Sequence, residues 1–561
     1  MRPAFILPAI LILSFSLRVA GLGFGLPHTY HQDEPIIVNH AMAIGVEGWN
    51  TKTYLPPQFA SYFLFLFYGL YFIAGHGLGL FANKTDFAIQ FLSDPTPFYL
   101  IGRFVLGVIF GTANIVILYR LGEKFFSRQT AVFASIFLSV SMLHVAHSHY
   151  VYMDIAVTFA VTLLFLRIYQ WMKMPTFWNI LSVGAVFGWA VSVKYTAIYF
   201  FPVMILAFFL APQKKNQFWH ASAQFLGACV LSLTVYAVIS PFSFLDWSNF
   251  ISQVREQSAA RGQQGLWHHL SYSLLNGTGW LFLSLSLMGV VACWKNESRK
   301  ASVLILGVVG YYVVNVGFSQ PFSRYMMPVL PLLCLLASEG IGSLARAMRK
   351  PALAMILGLL VTIELLIPTL FFDRLLNTID TRTECSRWIE SKIPERSVIV
   401  LDNIFFGPRL SQTREQIIEK YNYLDADQRG GAQKKRLDLV LENLNSKKTY
   451  TVYYCLSREQ KAEKAFLFGR PLVRPDKEEL KRIGAEYVVL NYADPAVDLH
   501  FWKEAMKSRL FLVASFSPYK DPQVRDLGEF EDLTGPPDSR RDLFGRKTQG
   551  PYLEVYRIRN W

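Results

Sequence analysis

The chain has 561 residues, 52% of them hydrophobic and 15% aromatic, with a mean hydropathy of +0.28, which excludes a soluble globular protein. The formal net charge of +14 would suit nucleic acid, but much of the excess lies in short loops between apolar runs. There Lys and Arg set membrane orientation, so nucleic-acid binding is set aside.

Apolar runs long enough to span a bilayer occur at about 3–22, 98–120, 129–147, 153–172, 217–240, 272–294, 301–318, 325–345 and 351–372. The first has Arg2 before it, Arg18 near its end and no small-x-small cleavage site, and reads as an uncleaved span. The run 177–211 is too long for one helix and carries Lys194 at its middle; it reads as two short spans meeting there. The run 58–80 is as apolar as any of these. Basic residues collect in five loops: Arg120, Lys124 and Arg128; Lys173; Lys214 and Lys215; Lys295, Arg299 and Lys300; Arg346, Arg349 and Lys350. These loops fall on the cytoplasmic face, with Asp33 and Asp154 on the other, only if 58–80 does not cross. That run is therefore expected to be interfacial or re-entrant, against its composition. The alternative is a true crossing with the N-terminus outside. The preferred count is about eleven crossings, with the first outer loop at about 23–97 and the tail outside.

Charge is sparse before about residue 370 and dense after it. This predicts a transmembrane domain over 1–373 and a soluble one over 374–561. In the tail, Ser397–Asp402, Glu486–Asn491 and Tyr552–Ile558 read as strands. The stretches 384–392, 411–422, 433–445 and 477–484 read as helices, and 518–550 as a long loop. The expected fold class is thus a polytopic α-helical membrane protein with a C-terminal soluble α/β domain. Of five cysteines, Cys229, Cys293 and Cys334 lie in apolar runs and read as core. Cys385 and Cys455 are either one disulfide or two free thiols. No Cys/His pattern has zinc spacing.

The outer face carries the candidate chemistry. Asp33 and Glu34 precede a helical pattern of Ile36, Ile37, His40, Ala41 and Ile44, and the bland reading of Asp33 is a helix N-cap. Asp154 opens a span, where a carboxylate costs about 2.5–3.5 kcal/mol at depth and needs a partner or a purpose. Histidines 28, 31, 144, 147 and 149 lie nearby. A divalent cation on Asp33, Asp154 and His147 is one reading, and interfacial imidazoles are the other. Lys194 either snorkels to the surface or meets a phosphate arriving from the bilayer. Arg324 lies at an outer span boundary, and Arg255, Arg261, His268 and His269 share that face. Positive charge there runs against the bias that set the topology and points to an anionic ligand. A lipid-linked phospho-sugar fits. Its phosphate is already a good leaving group and needs positive charge, whereas the acceptor hydroxyl needs a general base.

Four short elements carry a resemblance: His31-Gln32-Asp33-Glu34; His147-Ser148-His149-Tyr150 with Asp154; Lys194-Tyr195-Thr196; and Arg324-Tyr325 with Pro328 and Pro331. In this order they resemble the GT-C superfamily of membrane glycosyltransferases, in its protein O-mannosyltransferase and aminoarabinose-transferase-like branch, over roughly residues 1–345. Gln32 stands where that branch commonly has Pro. The resemblance implies an inverting transfer of a monosaccharide from a polyprenyl-phosphate carrier on the outer face. Asp33 would be the general base, with Glu34 and Asp154 in the catalytic group and Asp154 supporting or metal-facing. It also implies membrane-lying helices in the first outer loop. Lys194, Arg324, Arg261 and Arg255 would hold the donor phosphate. The expected partners are the donor lipid, membrane lipid and an acceptor protein, lipid or glycan, in a bacterial inner (plasma) membrane. Two rivals remain. One is a secondary transporter using Asp154 and Lys194, a class that usually shows a repeat between halves, and none is visible. The other is a catalytically silent relative that binds lipid-linked sugar.

Overall fold

A 14-residue helix, Ile6–Val19, begins the computed structural model, which describes residues 5–31, 33–212, 218–259, 267–315, 322–402, 407–426, 431–442, 448–455, 466–467, 470–492, 501–525 and 539–559. Six stretches are helical, long and apolar enough to cross a membrane: Phe59–Gly77, Thr96–Phe125, Asp154–Lys173, Phe218–Ile239, Ser323–Ala347 and Pro351–Lys392. A seventh follows if His269–Thr278 and Trp280–Asn296, bent by 111°, count as one. Shorter apolar helices occupy Ile6–Val19, Arg128–Val140, Phe177–Val193 and Tyr195–Leu210. The chain is a multi-span integral membrane protein.

In lipid, helices associate through close packing at small residues and through hydrogen bonds. Gly184 and Gly188 lie about one turn apart on Phe177–Val193. A Cβ on either would come within 2.2 Å of the carbonyl oxygen of Ala228 or Ser232 on Phe218–Ile239, so both must lack one. Arg18 is fully buried. Its guanidinium donates to the Ser14 hydroxyl, to the carbonyls of Ser139 and Leu138, and to His144 Nδ1 at 2.7 Å. That ties the first helix to the end of the Arg128–Val140 helix. At the bend of the broken pair, Gly279 has φ +95°, a conformation open to glycine. Glu364, from the Pro351–Leu376 helix, accepts from Leu281 N at 3.1 Å and Phe282 N at 3.0 Å. A side chain from another helix thus satisfies donors that the bend leaves open.

The 177–211 run breaks as expected: Lys194 is extended (φ −153°, ψ 126°) between Phe177–Val193 and the 3₁₀ turn Tyr195–Phe200. Three of the basic loops meet at one end of the bundle. Lys300 Nζ donates to Phe125 O (2.6 Å) and pairs with Glu297 (2.6 Å). Glu339 pairs with Arg346 (2.6 Å) and accepts from Thr130. Asp33, the start of the Asp154 helix and Lys194 lie at the other end.

Between the first helix and Thr96–Phe125 lie Glu34–Glu47, Phe59–Gly77 and Lys84–Ser93. The Phe59 ring meets Trp189 (6.1 Å between centroids) and Phe63 meets Phe110 (5.8 Å). Further along, Tyr68 donates to Phe98 O and Tyr71 packs on the Phe98 ring. Trp189 lies shortly before Lys194, and Phe98 shortly before Arg103, so both halves of this helix touch the Asp33 end.

The tail is a seven-stranded mixed sheet with the order β3-β4-β2-β1-β5-β7-β6. The strands are β1 Val398–Leu401, β2 Thr451–Cys455, β3 Phe466–Leu467, β4 Arg470–Val473, β5 Tyr487–Asn491, β6 Leu510–Phe516 and β7 Leu553–Ile558. β1 is parallel to β2 and β5, and β2 to β4; β7 is antiparallel to β5 and β6. The helices form at Thr381–Lys392, Arg414–Ala426, Gly431–Glu442 and Lys477–Arg482; the first and last are capped by Asp380 and Asp476. The 518–550 stretch is not wholly loop, since Arg540–Gly545 is helical, and 526–538 lies outside the described residues. Cys385 and Cys455 are buried in separate core layers and both are free thiols.

The tail sits on the Asp33 end of the bundle. The Tyr30 hydroxyl is 2.7 Å from Thr383 Oγ1, and the Arg382 guanidinium lies 3.8 Å over the Tyr30 ring. Arg409 donates to Thr29 O (3.2 Å), and Gly431–Glu442 lies against Glu34–Glu47 and Lys84–Ser93. Arg540 donates to Asn276 O (3.0 Å) and Glu364 O (3.3 Å) beside the bent pair.

Candidate active site

Pro35 near the start of Glu34–Glu47 sets the helix going, and adjacent residues then diverge by about 100° around its axis. Asp33 occupies the N-cap position, but its side chain makes no cap hydrogen bond. Its Oδ2 accepts from Arg324 Nη2 at 3.1 Å, and 17% of its side chain stays exposed. Glu34 turns the other way and is fully buried. Arg103 Nε and Nη2 donate to its two oxygens at 2.8 and 2.9 Å, and Val151 N donates to Oε1 at 3.0 Å. The remaining Arg103 nitrogen donates to Leu22 O (2.7 Å) and Phe24 O (2.9 Å). Glu34, expected in the catalytic group, is placed as a clamp. It fastens the loop that carries Asp33 to the turn three residues before Asp154.

Asp154 opens the Asp154–Lys173 helix and is buried. Its Oδ1 accepts from Lys194 Nζ at 2.6 Å, while the buried Oδ2 has no partner among the described residues. Lys194 Nζ lies 5.7 Å from the Tyr152 ring centroid and 5.1 Å from that of Tyr325. The Arg324 guanidinium lies 5.3 Å from Tyr152, 6.0 Å from Tyr325 and 4.0 Å from Phe322. Two carboxylates, two cations and two tyrosines from four distant parts of the chain therefore share one site. Burial, with the Asp33 charge adding to it, raises the Tyr152 phenol well above its ordinary range, so its ring stays neutral.

Arg255 is exposed on Trp247–Ala259, and Arg261 lies outside the described residues. The His147 ring packs near Tyr150 (5.9 Å), and His31 nearer still (4.4 Å), with His31 Nδ1 accepting from Asp33 N. His149 sits between the carbonyls of Val145 and Ala20. Among the described residues no three His, Cys, Asp or Glu side chains gather as a metal would need. Asp33 and Asp154 each hold a protein cation where a divalent ion would sit, so the donor set does not fit one. Arg103, Tyr152 and Tyr325 are the site residues that sequence reasoning missed as such. Tyr325 stood inside a quoted motif, Tyr152 lies between Tyr150 and Asp154 of another, and Arg103 carried the signal of a lone cation near the start of a span.

Residues 101–242 match the family model described as dolichyl-phosphate-mannose-protein mannosyltransferase. This segment of the chain is similar to that family of membrane glycosyltransferases. The family segment contains Arg103, Tyr152, Asp154 and Lys194, while Asp33 and Arg324 fall outside it. No curated protein matches the chain in sequence. Among solved structures it is similar to ArnT from Cupriavidus metallidurans bound to undecaprenyl phosphate, with 13% identity, TM-score 0.48, 91% of this chain and 96% of that one. It is similar to the Archaeoglobus fulgidus oligosaccharyltransferase in its apo form, with 10% identity, TM-score 0.45, 99% of this chain and 88% of that one. The S. cerevisiae protein O-mannosyltransferase Pmt1–Pmt2 complex bound to the sugar donor matches at 15% identity and TM-score 0.33, over 45% of this chain and 34% of that one.

Proposed function

We propose that this chain is a glycosyltransferase that moves a monosaccharide, with inversion, from a polyprenyl-phosphate carrier to an acceptor hydroxyl, with Asp33 as general base. The observation that carries the reading is the convergence of Asp33–Arg324 and Asp154–Lys194 on one site at the end of the bundle that the tail covers. The acceptor oxygen attacks the anomeric carbon, its proton passes to Asp33, and the carbon–oxygen bond to the phosphate breaks with its electron pair leaving on the phosphate. Arg324 and Lys194 stabilise that charge. In the resting site each cation faces a carboxylate, so an incoming phosphate competes for both and draws Arg324 off Asp33. Asp154 keeps Lys194 at the break between two short spans. The acceptor is a protein, lipid or glycan.

The same reading takes 1–373 as the transferase domain and 374–561 as an extracytoplasmic one, in a bacterial inner membrane, with about eleven crossings. The grouping of basic loops at the far end of the bundle supports this orientation. Phe59–Gly77 touches the Asp33 end through Trp189, Phe110 and Phe98, which supports its lying along the outer leaflet.

The test is incubation of the purified chain with a panel of labelled polyprenyl-phosphate sugars, followed by the same panel with Asp33→Asn. Asn keeps shape but cannot take a proton, so turnover falls by at least about 10²-fold while the donor lipid still binds. Near-normal turnover in a folded Asp33→Asn protein removes the base assignment.

A further inference from the structure

Lys194 and Arg324 come from segments 130 residues apart, as their numbers show, yet both lie within 6.0 Å of the same two rings. Like charges this close repel one another in a site partly withdrawn from water. Asp33 and Asp154 offset that repulsion in the resting site, one per cation. They cannot do so throughout the reaction, because Asp33 must be free to take a proton. A ring face attracts a cation without competing with phosphate for its N–H groups. Tyr152 reaches the site from the turn before the Asp154 helix, and Tyr325 from the 3₁₀ turn Ser323–Val329 that also carries Arg324.

We propose that Tyr152 and Tyr325 are positioning residues whose rings form a cation–π cage, holding the Lys194 ammonium and the Arg324 guanidinium together as a two-cation clamp for the donor phosphate. This rests on the glycosyl-transfer reading given above. The requirement falls on the aromatic faces and not on the hydroxyls. Tyr→Phe is therefore tolerated at both positions, whereas a branched aliphatic side chain is not.

The experiment uses the full purified chain and two readouts, donor KM against kcat and equilibrium binding of undecaprenyl phosphate. Tyr152→Phe leaves both within about 2-fold of wild type. Tyr152→Leu loses two cation–π contacts and raises the donor KM and the undecaprenyl-phosphate Kd about 10-fold, with a smaller change in kcat. Tyr325→Phe and Tyr325→Leu behave alike. Because a leucine variant could fail to fold, phenylalanines carrying one to three ring fluorines are also incorporated at position 152. Shape is nearly kept while the ring quadrupole weakens, and the Kd rises stepwise. A flat fluorine series, or a Tyr152→Phe loss as large as that of Tyr152→Leu, overturns the cage. If wild type binds undecaprenyl phosphate and Lys194→Met weakens it while ring variants do not, the cage alone fails. If wild type neither binds that lipid nor uses any donor, the transferase reading fails with it.

Discussion

Glu34→Gln is the substitution whose effect the geometry determines most sharply. The wild-type carboxylate accepts three hydrogen bonds at 2.8, 2.9 and 3.0 Å from Arg103 and Val151, all out of water. An amide keeps the shape and one acceptor oxygen. Its NH₂ group, however, meets the donating Arg103 Nη2, and the Arg103 charge is left without a counter-charge. Hydrogen bonds to charged groups contribute about 1.5–3 kcal/mol each, and removing one partner of a buried pair costs about 3–5 kcal/mol. The second figure is the one to use, because the amide retains part of the first. Thermal unfolding of the purified protein in detergent should drop for Glu34→Gln and for Arg103→Met, and turnover should fall because Asp33 and Val151 are no longer fixed to each other. Removing both charges, in Glu34→Gln/Arg103→Met, should destabilise by less than the sum of the singles. A direct chemical role for Glu34 makes the opposite prediction: normal stability with lost turnover in Glu34→Gln, and no recovery in the double variant. Wild-type unfolding and wild-type turnover in Glu34→Gln would refute the clamp outright.

Lys194→Met removes one phosphate contact worth about 1.5–3 kcal/mol and should weaken donor use by roughly one to two orders of magnitude; unchanged donor kinetics would return Lys194 to a snorkelling residue. A topology reporter fused at residue 450 should register as non-cytoplasmic, and a cytoplasmic signal there would dismantle the outer-face assignment. Burial raises the thiols of Cys385 and Cys455 above their ordinary range. Neither should react with a thiol reagent until the tail unfolds, and reductant should leave gel mobility unchanged. Rapid labelling of the folded protein would contradict the two separate core layers.

Much of the fold was legible because hydropathy reports directly on burial in lipid. The break at Lys194 followed from a run too long for one helix with a charge at its centre. The strands Val398–Leu401, Tyr487–Asn491 and Leu553–Ile558 were legible because each is a short, largely buried apolar run. Thr451–Cys455 and Leu510–Phe516 were not. The first mixes Thr and Tyr into a central strand, and the second is the sheet edge, where burial alternates irregularly. Long-range pairing sets both, and local pattern does not record it. The helix Arg540–Gly545 was hidden for another reason. It is six residues long, capped by Ser539, and its docking on Asn276 and Glu364 depends on partners far away in sequence.

The site divides along the same line. Asp154, Lys194 and Arg324 were legible as charges at the membrane boundary, and Asp33 through its place after the first span and the motif it belongs to. Which charge each would meet was not, because the pairing depends on how helices separated by 40 to 291 residues pack. Adjacent acids in a sequence suggest one function, and here helical geometry divides them. Asp33 turns toward Arg324 and remains part-exposed, as a base must if an acceptor is to reach it. Glu34 turns inward to Arg103, where no substrate can. Burial therefore distinguishes the two carboxylates more firmly than their shared motif joins them. By the same criterion the proposed reaction leaves Asp154, buried with one oxygen on Lys194, to hold that cation in place.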